Sequence, residues 1–234
     1  MSLKVYNSLT KKKETFKPIV RGKVKIYSCG PTVYNYIHIG NHRTFLMSDF
    51  LKRALKFNKF KVKHIMNITD IGHLSSDADA GEDKMVKAAM KEGKSVWDIA
   101  RFYTKAFKND LTDLNIETPN KFTLATENLR AQINMIKKLE KRDYTYSADG
   151  NIYFDTSKYS NNKLGGLNTK SKSRVKKDPN KKNRNDFILW FTKSKFQDQE
   201  MKWNSPWGYG YPGWHIECSA MANKFLGAPI DIHT

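Results

Sequence analysis

Val24 to Cys29 is a short apolar-rich run that breaks at Gly30-Pro31-Thr32, the pattern of a strand entering a tight turn. Beyond the turn Leu46, Phe50, Ala54, Leu55 and Phe57 recur at helical spacing, which predicts a helix with those residues inward. Lys61 to Thr69 then alternates, with Val62, His64, Met66 and Ile68 on one side before Asp70, as a strand does. A strand–helix–strand unit of this length is a βαβ crossover and predicts a parallel sheet with a right-handed connection. On such sheets phosphates bind at the carboxyl ends of the strands, beside helix N-termini.

Asp70 to Asp83 is small and polar and reads as a loop. Trp97, Ala100, Tyr103, Phe107, Leu111 and Leu114 form one apolar stripe, and Leu129, Ile133, Ile136 and Leu139 another; both are expected to be core. Tyr144 to Asp155 reads as a hairpin turning on Asp149-Gly150. Residues 156–186 are polar and end in a basic run, eight basic residues from Lys170 to Arg184 against Asp178 alone. This predicts an exposed, mobile insertion, either merely solvated or in contact with RNA. Phe187 to Phe191 is a strand, Trp203 to Gly208 a loop, His215 to Met221 part of a helix closing at Gly227, and Pro229 to His233 a buried parallel strand. No internal repeat is visible. The division that follows puts the first half of a Rossmann-type domain at 1–115, a connective insertion at 116–186 and the second half at 187–234.

Composition narrows the class. The 234 residues are 39% hydrophobic and 12% aromatic, enough for a core and too rich for disorder. The apolar stretches fall short of the roughly 20 residues a membrane helix needs. Met1-Ser2-Leu3-Lys4 carries no secretory apolar run, so a cytoplasmic location without a membrane is expected. The net charge of +19 favours a polyanion such as RNA, although the wealth of Lys, Asn, Ile and Phe is also what an AT-rich genome produces.

Chemistry concentrates in two places. His38-Ile39-Gly40-Asn41 lies between the strand and the helix of the βαβ unit. Gly40 lacks a Cβ and lets phosphates approach, Asn41 can cap the helix, and His38 can donate to a phosphate oxygen as charge builds. The same four residues also read as a helix cap with a satisfied histidine. The second place is Gly213-Trp214-His215-Ile216-Glu217-Cys218-Ser219 on the opening turn of a helix. It pairs with Ser28-Cys29-Gly30-Pro31-Thr32, so Cys29 and Cys218 share the rim of a Rossmann-type cleft. They are either small buried hydrophobes or two thiolate ligands; a zinc site takes three or four, with His215 and His233 as conceivable completers.

Together these blocks resemble the cysteinyl-tRNA synthetases: Ser28 to Tyr34 with His38 to Asn41, then Asn67-Ile68-Thr69-Asp70, Ser205-Pro206-Trp207-Gly208, and Gly213 to Met221, in order over essentially the whole chain. The resemblance implies an α/β, class I Rossmann-type catalytic domain with a parallel sheet and an inserted connective segment. It implies activation of L-cysteine by ATP to cysteinyl-adenylate, with Mg2+ on the ATP, and transfer to tRNA(Cys). His38, Gly40 and Asn41 match the catalytic ATP-binding signature, Asn41 standing where the motif's name has a second histidine. Thr69 and Trp214 match residues around the substrate cysteine. Cys29 and Cys218 match two ligands of a Zn2+ ion. The family's other two, a histidine and a glutamate, belong to a block after the last strand, and His233 matches a different histidine. Zinc takes a thiolate in preference to a serine hydroxyl, so editing is unnecessary. The chain has no Lys-Met-Ser-Lys-Ser loop and no anticodon-binding helical domain. It is therefore expected to hold the N-terminal part of the active site and to be poorly active alone; a monomer is also expected. Two other readings stand beside this one: a ligase joining cysteine to an amino sugar, of the mycothiol-making type, and a non-catalytic RNA- or zinc-binding module. A different nucleotidylyltransferase has no reason to carry the block from Trp214 to Met221.

Overall fold

In the computed structural model the chain is described over residues 3–72, 83–159, 178–193 and 199–234. It opens with an antiparallel pair, β1 (Lys4–Asn7) and β2 (Lys12–Thr15), followed by β3 (Lys23–Ser28), α1 (Ile39–Phe57) and β4 (Lys61–Ile68). β3 and β4 run parallel, Lys23 opposite Lys61 and Ser28 opposite Met66, so the βαβ crossover stands. Next come α2 (Lys84–Glu92), α3 (Val96–Asp113), β5 (Lys121–Leu124) and α4 (Leu129–Glu140). An antiparallel group follows, β6 (Thr145–Ala148), β7 (Asn151–Phe154), β8 (Phe187–Phe191) and β9 (Tyr211–Pro212), and then α5 (Trp214–Leu226) and β10 (Ile232–His233).

Two four-stranded sheets result. One is parallel, in the order β10-β3-β4-β5; the other is antiparallel, in the order β6-β7-β8-β9. Membership cuts across the division drawn from sequence. β5, inside the stretch read as insertion, joins the parallel sheet, and β8, read as Rossmann, pairs with β7 through Trp190 opposite Ile152. The helix α5 serves both sheets: Met221 and Leu226 pack with Tyr27 and Ile65, while Ile216 packs with Leu189 and Trp190. The hairpin turns on Asp149 and Gly150, with φ of 45° and 80°, the paired left-handed conformation of a type I′ turn.

Four expectations need correction. β4 does not alternate, because everything from His64 to Asp70 is buried. Helices cover a central parallel strand on both faces. The predicted strand from Pro229 to His233 shrinks to Ile232–His233 at the sheet edge, half-buried and exposed. On α1, Phe50 and Phe57 are exposed, and the inward residues are Phe45, Ser48, Asp49, Lys52 and Leu55. Polar residues take that face because backbone groups arrive there needing partners. Asp49 accepts from the Glu117 backbone N–H at 3.1 Å and from Arg53 at 2.7 Å. The Lys52 ammonium donates to the carbonyls of Thr118 at 2.6 Å and Glu117 at 3.3 Å. On α3, Ala100, Tyr103, Phe107 and Leu111 are core as expected, but Trp97 and Leu114 are exposed. Most of the Asp70–Asp83 loop and the basic stretch from Lys170 to Lys177 lie outside the described residues.

Among the described residues, no helix is long and apolar enough to cross a membrane. Because Asp49 pins α1 to the segment before β5, Asp49→Ala should lower the unfolding free energy by about 2–3 kcal/mol. Phe50→Gln on the outer face should change it by no more than about 0.5 kcal/mol. Urea denaturation of both variants tests this face assignment, and the reverse order of costs would overturn it.

Candidate active site

The carboxyl edge of the parallel sheet is assembled by two close backbone approaches. A Cβ on Gly30 would lie 1.8 Å from the Asn67 carbonyl oxygen, so the chain leaves β3 only with glycine at that position. The Gly30 N–H donates to the Asn67 side chain at 3.0 Å, and the turn continues against β4: Thr69 N–H to Pro31 O at 2.9 Å, Val33 N–H to Thr69 O at 3.1 Å. At Gly213 a Cβ would lie 1.9 Å from the Ile188 carbonyl oxygen. Gly213 caps α5 and donates to Leu189 O at 2.9 Å, which ties the start of the helix, just after β9, to β8.

These constraints bring the two cysteines together. Their Sγ atoms are 3.6 Å apart, with Cys29 exposed and Cys218 half-buried. Neither is the inert buried thiol that free cysteine usually becomes. The His233 Nε2 lies 3.5 Å from Cys29 Sγ on the other side. The hydrogen bond between the two thiols lowers the Cys29 pKa to about 5, with His233 assisting against the cost of burial. The same bond, with burial and the Glu217 charge, pushes Cys218 up. Among the described residues no group of three or more His, Cys, Asp and Glu side chains is arranged to hold a metal.

Behind the sulfurs lies a layer of buried polar groups. Thr69 donates to the fully buried Glu217 carboxylate at 3.1 Å and accepts from the Asn67 side-chain amide at 3.2 Å. Next to it, Asp70 accepts from the Thr126 N–H at 3.0 Å and hydroxyl at 2.5 Å, while burial raises its pKa. Beneath Cys29, the Ser28 hydroxyl meets His64 Nε2 at 2.9 Å and the Thr234 hydroxyl at 2.8 Å, and Thr234 in turn reaches Ser48 of α1 at 3.1 Å. Trp214, first residue of α5, is 41% exposed and lies over His215 with centroids 6.0 Å apart. His215 rests edge-on against Phe187.

The predicted phosphate turn sits at the start of α1 and differs in detail from expectation. His38, not Asn41, is the N-cap: its Nδ1 accepts from the Gly40 N–H at 3.0 Å, and Asn41 is already the third helical residue. A Cβ on Gly40 would meet the His38 ring at 2.9 Å, so this glycine makes room for the histidine. Residues 38 to 41 are all exposed.

A family model described as tRNA synthetases class I (C) catalytic domain matches residues 15–234. The chain belongs to that family. It is 54% identical to the cysteine–tRNA ligase of Treponema denticola over its whole length and 48% of that relative's. It is 49% identical to the ligase of Borrelia hermsii over 100% of this chain and 49% of the relative, and 46% identical to that of Zymomonas mobilis over 98% and 45%. The chain spans about half the length of these curated relatives.

Within this class I catalytic domain, Glu217 and His64 carry structural chemistry that the sequence reading passed over. The signal for Glu217 was an acid among Ile216, Ala220 and Met221, all buried on α5. For His64 it was an imidazole placed on an apolar strand.

Two pH-dependent properties follow. In metal-free protein, alkylation of Cys29 by iodoacetamide should have its midpoint near pH 5, fading as pH falls through it, against about 8.5 for an ordinary thiol. Cys218→Ala should move that midpoint upward; a Cys29 that titrates as an ordinary thiol would show that no proton is shared. Burial, reinforced by Lys52, depresses His64 to about 4. Neutral His64 therefore contributes stability that is complete above about pH 6.5 and is lost as pH falls through 4. Between pH 7 and 4 the protein should lose about 3 kcal/mol more than its His64→Asn variant, as read from urea midpoints; parallel curves would refute it.

Proposed function

We propose that the protein activates L-cysteine with ATP, forming cysteinyl-adenylate and releasing pyrophosphate, and then transfers the cysteinyl group to tRNA(Cys). The observation that carries this reading is the thiol pair on the carboxyl edge, Cys29 against Cys218 at 3.6 Å, in a chain whose relatives are named cysteine–tRNA ligases.

Cys29 and Cys218 would hold a zinc ion, and their chemistry suits it. Two thiolates on one tetrahedral ion at bonds of about 2.3 Å stand about 3.8 Å apart, close to the separation found, and the Cys29 thiolate is already formed at neutral pH. When bound, zinc supplies a soft Lewis acid that accepts a substrate thiolate and discriminates against a hydroxyl.

The protein's own groups do the rest. His38 spends Nδ1 on its cap and keeps Nε2 for a phosphate oxygen. Gly40 and Asn41 present the first turn of α1, whose partial positive charge favours the phosphates of ATP with its Mg2+. The Thr69 hydroxyl, fixed between Asn67 and Glu217, and the exposed ring of Trp214 bound the space for the cysteine side chain. In this reading the antiparallel sheet is the connective insertion, and the protein is a monomeric cytoplasmic enzyme of translation.

Pyrophosphate exchange on the protein as its gene encodes it should require L-cysteine and ignore L-serine. Cys29→Ala and Cys218→Ala should each lower kcat/KM roughly 100-fold or more, and His38→Ala by about 100-fold. Exchange that does not depend on cysteine, or a cysteine–amino-sugar product in place of charged tRNA, would refute the assignment.

A further inference from the structure

We propose that Tyr27 is a positioning residue of the thiol pair: its buried hydroxyl donates a hydrogen bond to the Cys218 sulfur when that sulfur is a metal-held thiolate. The inference rests on the reading above, which puts zinc on the two cysteines, and adds a residue to it from the following geometry.

Tyr27 lies near the end of β3, two residues before Cys29. Side chains two apart share a face of a strand, so both turn toward α5. The ring is fixed from every side. Within the sheet Tyr27 stands opposite Ile65 of β4 and His233 of β10, with the His233 ring edge-on at 5.2 Å. Met221, Ala222 and Leu226 of α5 pack with it, and Cys218, one helical turn before Ala222, packs against the same cluster. Tyr27 is 0% exposed. Its hydroxyl cannot turn to solvent.

A buried phenol ordinarily finds a hydrogen-bond partner. The Tyr27 oxygen has none of acceptable geometry. Phenylalanine would fill the same space and leave nothing unpaired, so packing gives no reason for the oxygen. The neighbouring sulfur does. After burial itself, the group that bears most on this phenol is Cys218, ahead of Cys29 and Glu217. A neutral thiol is a weak acceptor, whereas a charged one takes short, strong hydrogen bonds. The phenol therefore lacks a partner only while Cys218 keeps its proton. That proton leaves when a cation takes up the charge, and the phenol then has its acceptor. Cys29 does not compete for it, because its sulfur is already engaged by Cys218 at 3.6 Å and by His233 at 3.5 Å. A donor held this rigidly fixes the direction of the ligand it supports, and such partners of metal ligands tune affinity without touching the ion.

The test is zinc affinity, read by competition with a chromophoric chelator on the protein as its gene encodes it, beside the urea midpoint of the same protein stripped of metal. Tyr27→Phe should hold zinc about 10- to 100-fold more weakly. Stripped of metal, it should unfold at no lower a urea concentration than the parent, because it loses an unpaired oxygen and no bond. With Co2+ in place of zinc, the sulfur-to-metal charge-transfer band of the variant should move to longer wavelength, since a sulfur without its hydrogen bond gives up electron density more readily. Zinc affinity equal to the parent's, an unmoved cobalt band, or a metal-free variant destabilised in step with its loss of zinc would each refute the role. The two claims fail differently. A parent protein that binds neither ion sinks the zinc reading and this role with it; a parent that binds zinc beside a variant that binds it equally well sinks Tyr27 alone.

Discussion

At Gly30 a Cβ atom would stand 1.8 Å from the Asn67 carbonyl oxygen, and at Gly213 another would stand 1.9 Å from that of Ile188. No side chain fits at either crossing, and no rotamer change relieves a clash with backbone. The first crossing binds the turn after β3 to the end of β4. The second fixes where α5 leaves the antiparallel sheet. Because α5 then packs on the parallel sheet through Met221 and Leu226, both crossings act on one distance, that between Cys29 and Cys218. These residues are 189 positions apart in the chain and 3.6 Å apart in space. A thiol pair defined by such remote segments needs rigid delivery on both sides, and close backbone contact is stiffer than any pair of side chains.

The polar layer beneath the thiols is costly to bury, and its composition shows how that cost is offset. Glu217, Thr69, Asn67, Asp70, Ser28 and His64 are all nearly inaccessible. Each has a hydrogen-bond partner within the layer or at its edge, as buried polar groups require. The pairing leaves His64 Nδ1 without a partner, and it does more than offset burial. Ser28 joins β3 to His64 of β4 and to Thr234 beside β10, and Thr234 joins α1. Three neighbouring strands and a helix are thus locked at the end where chemistry is assigned, although β10 contributes only two paired residues. Apolar packing of the same volume would stabilise the layer as well, but would not fix hydroxyl and carboxylate directions.

Much of this was legible in the chain. The βαβ unit announced itself by period and by the Gly30-Pro31 break, and the hairpin by Asp149-Gly150, since local turn chemistry is a local signal. What failed was whatever depends on distant partners. Phe50 and Phe57 were placed inward because spacing alone cannot tell which side of α1 meets the backbone between α3 and β5, where Asp49 and Lys52 are needed instead. β5 has no strand signal of its own and β8 pairs with the antiparallel group, because pairing is decided across long separations, not by the strand's own residues. Asn41 was favoured as a cap on residue type; the helix starts earlier because the His38 imidazole reaches the Gly40 N–H first. The thiol pair was legible as a pair, while Glu217 was hidden by a sequence context that reads as core.

The ionisation of that pair bears on what the rim can accept. Cys29, exposed and supported by Cys218 and His233, is drawn toward the thiolate, whereas Cys218, half-buried beside the Glu217 carboxylate, is pushed toward the thiol. A second negative charge at 3.6 Å from the first is tolerable only against positive charge placed between or beside the sulfurs. The site is therefore poised asymmetrically: one thiolate is ready from the solvent side, and the other is released only when a cation takes up its charge.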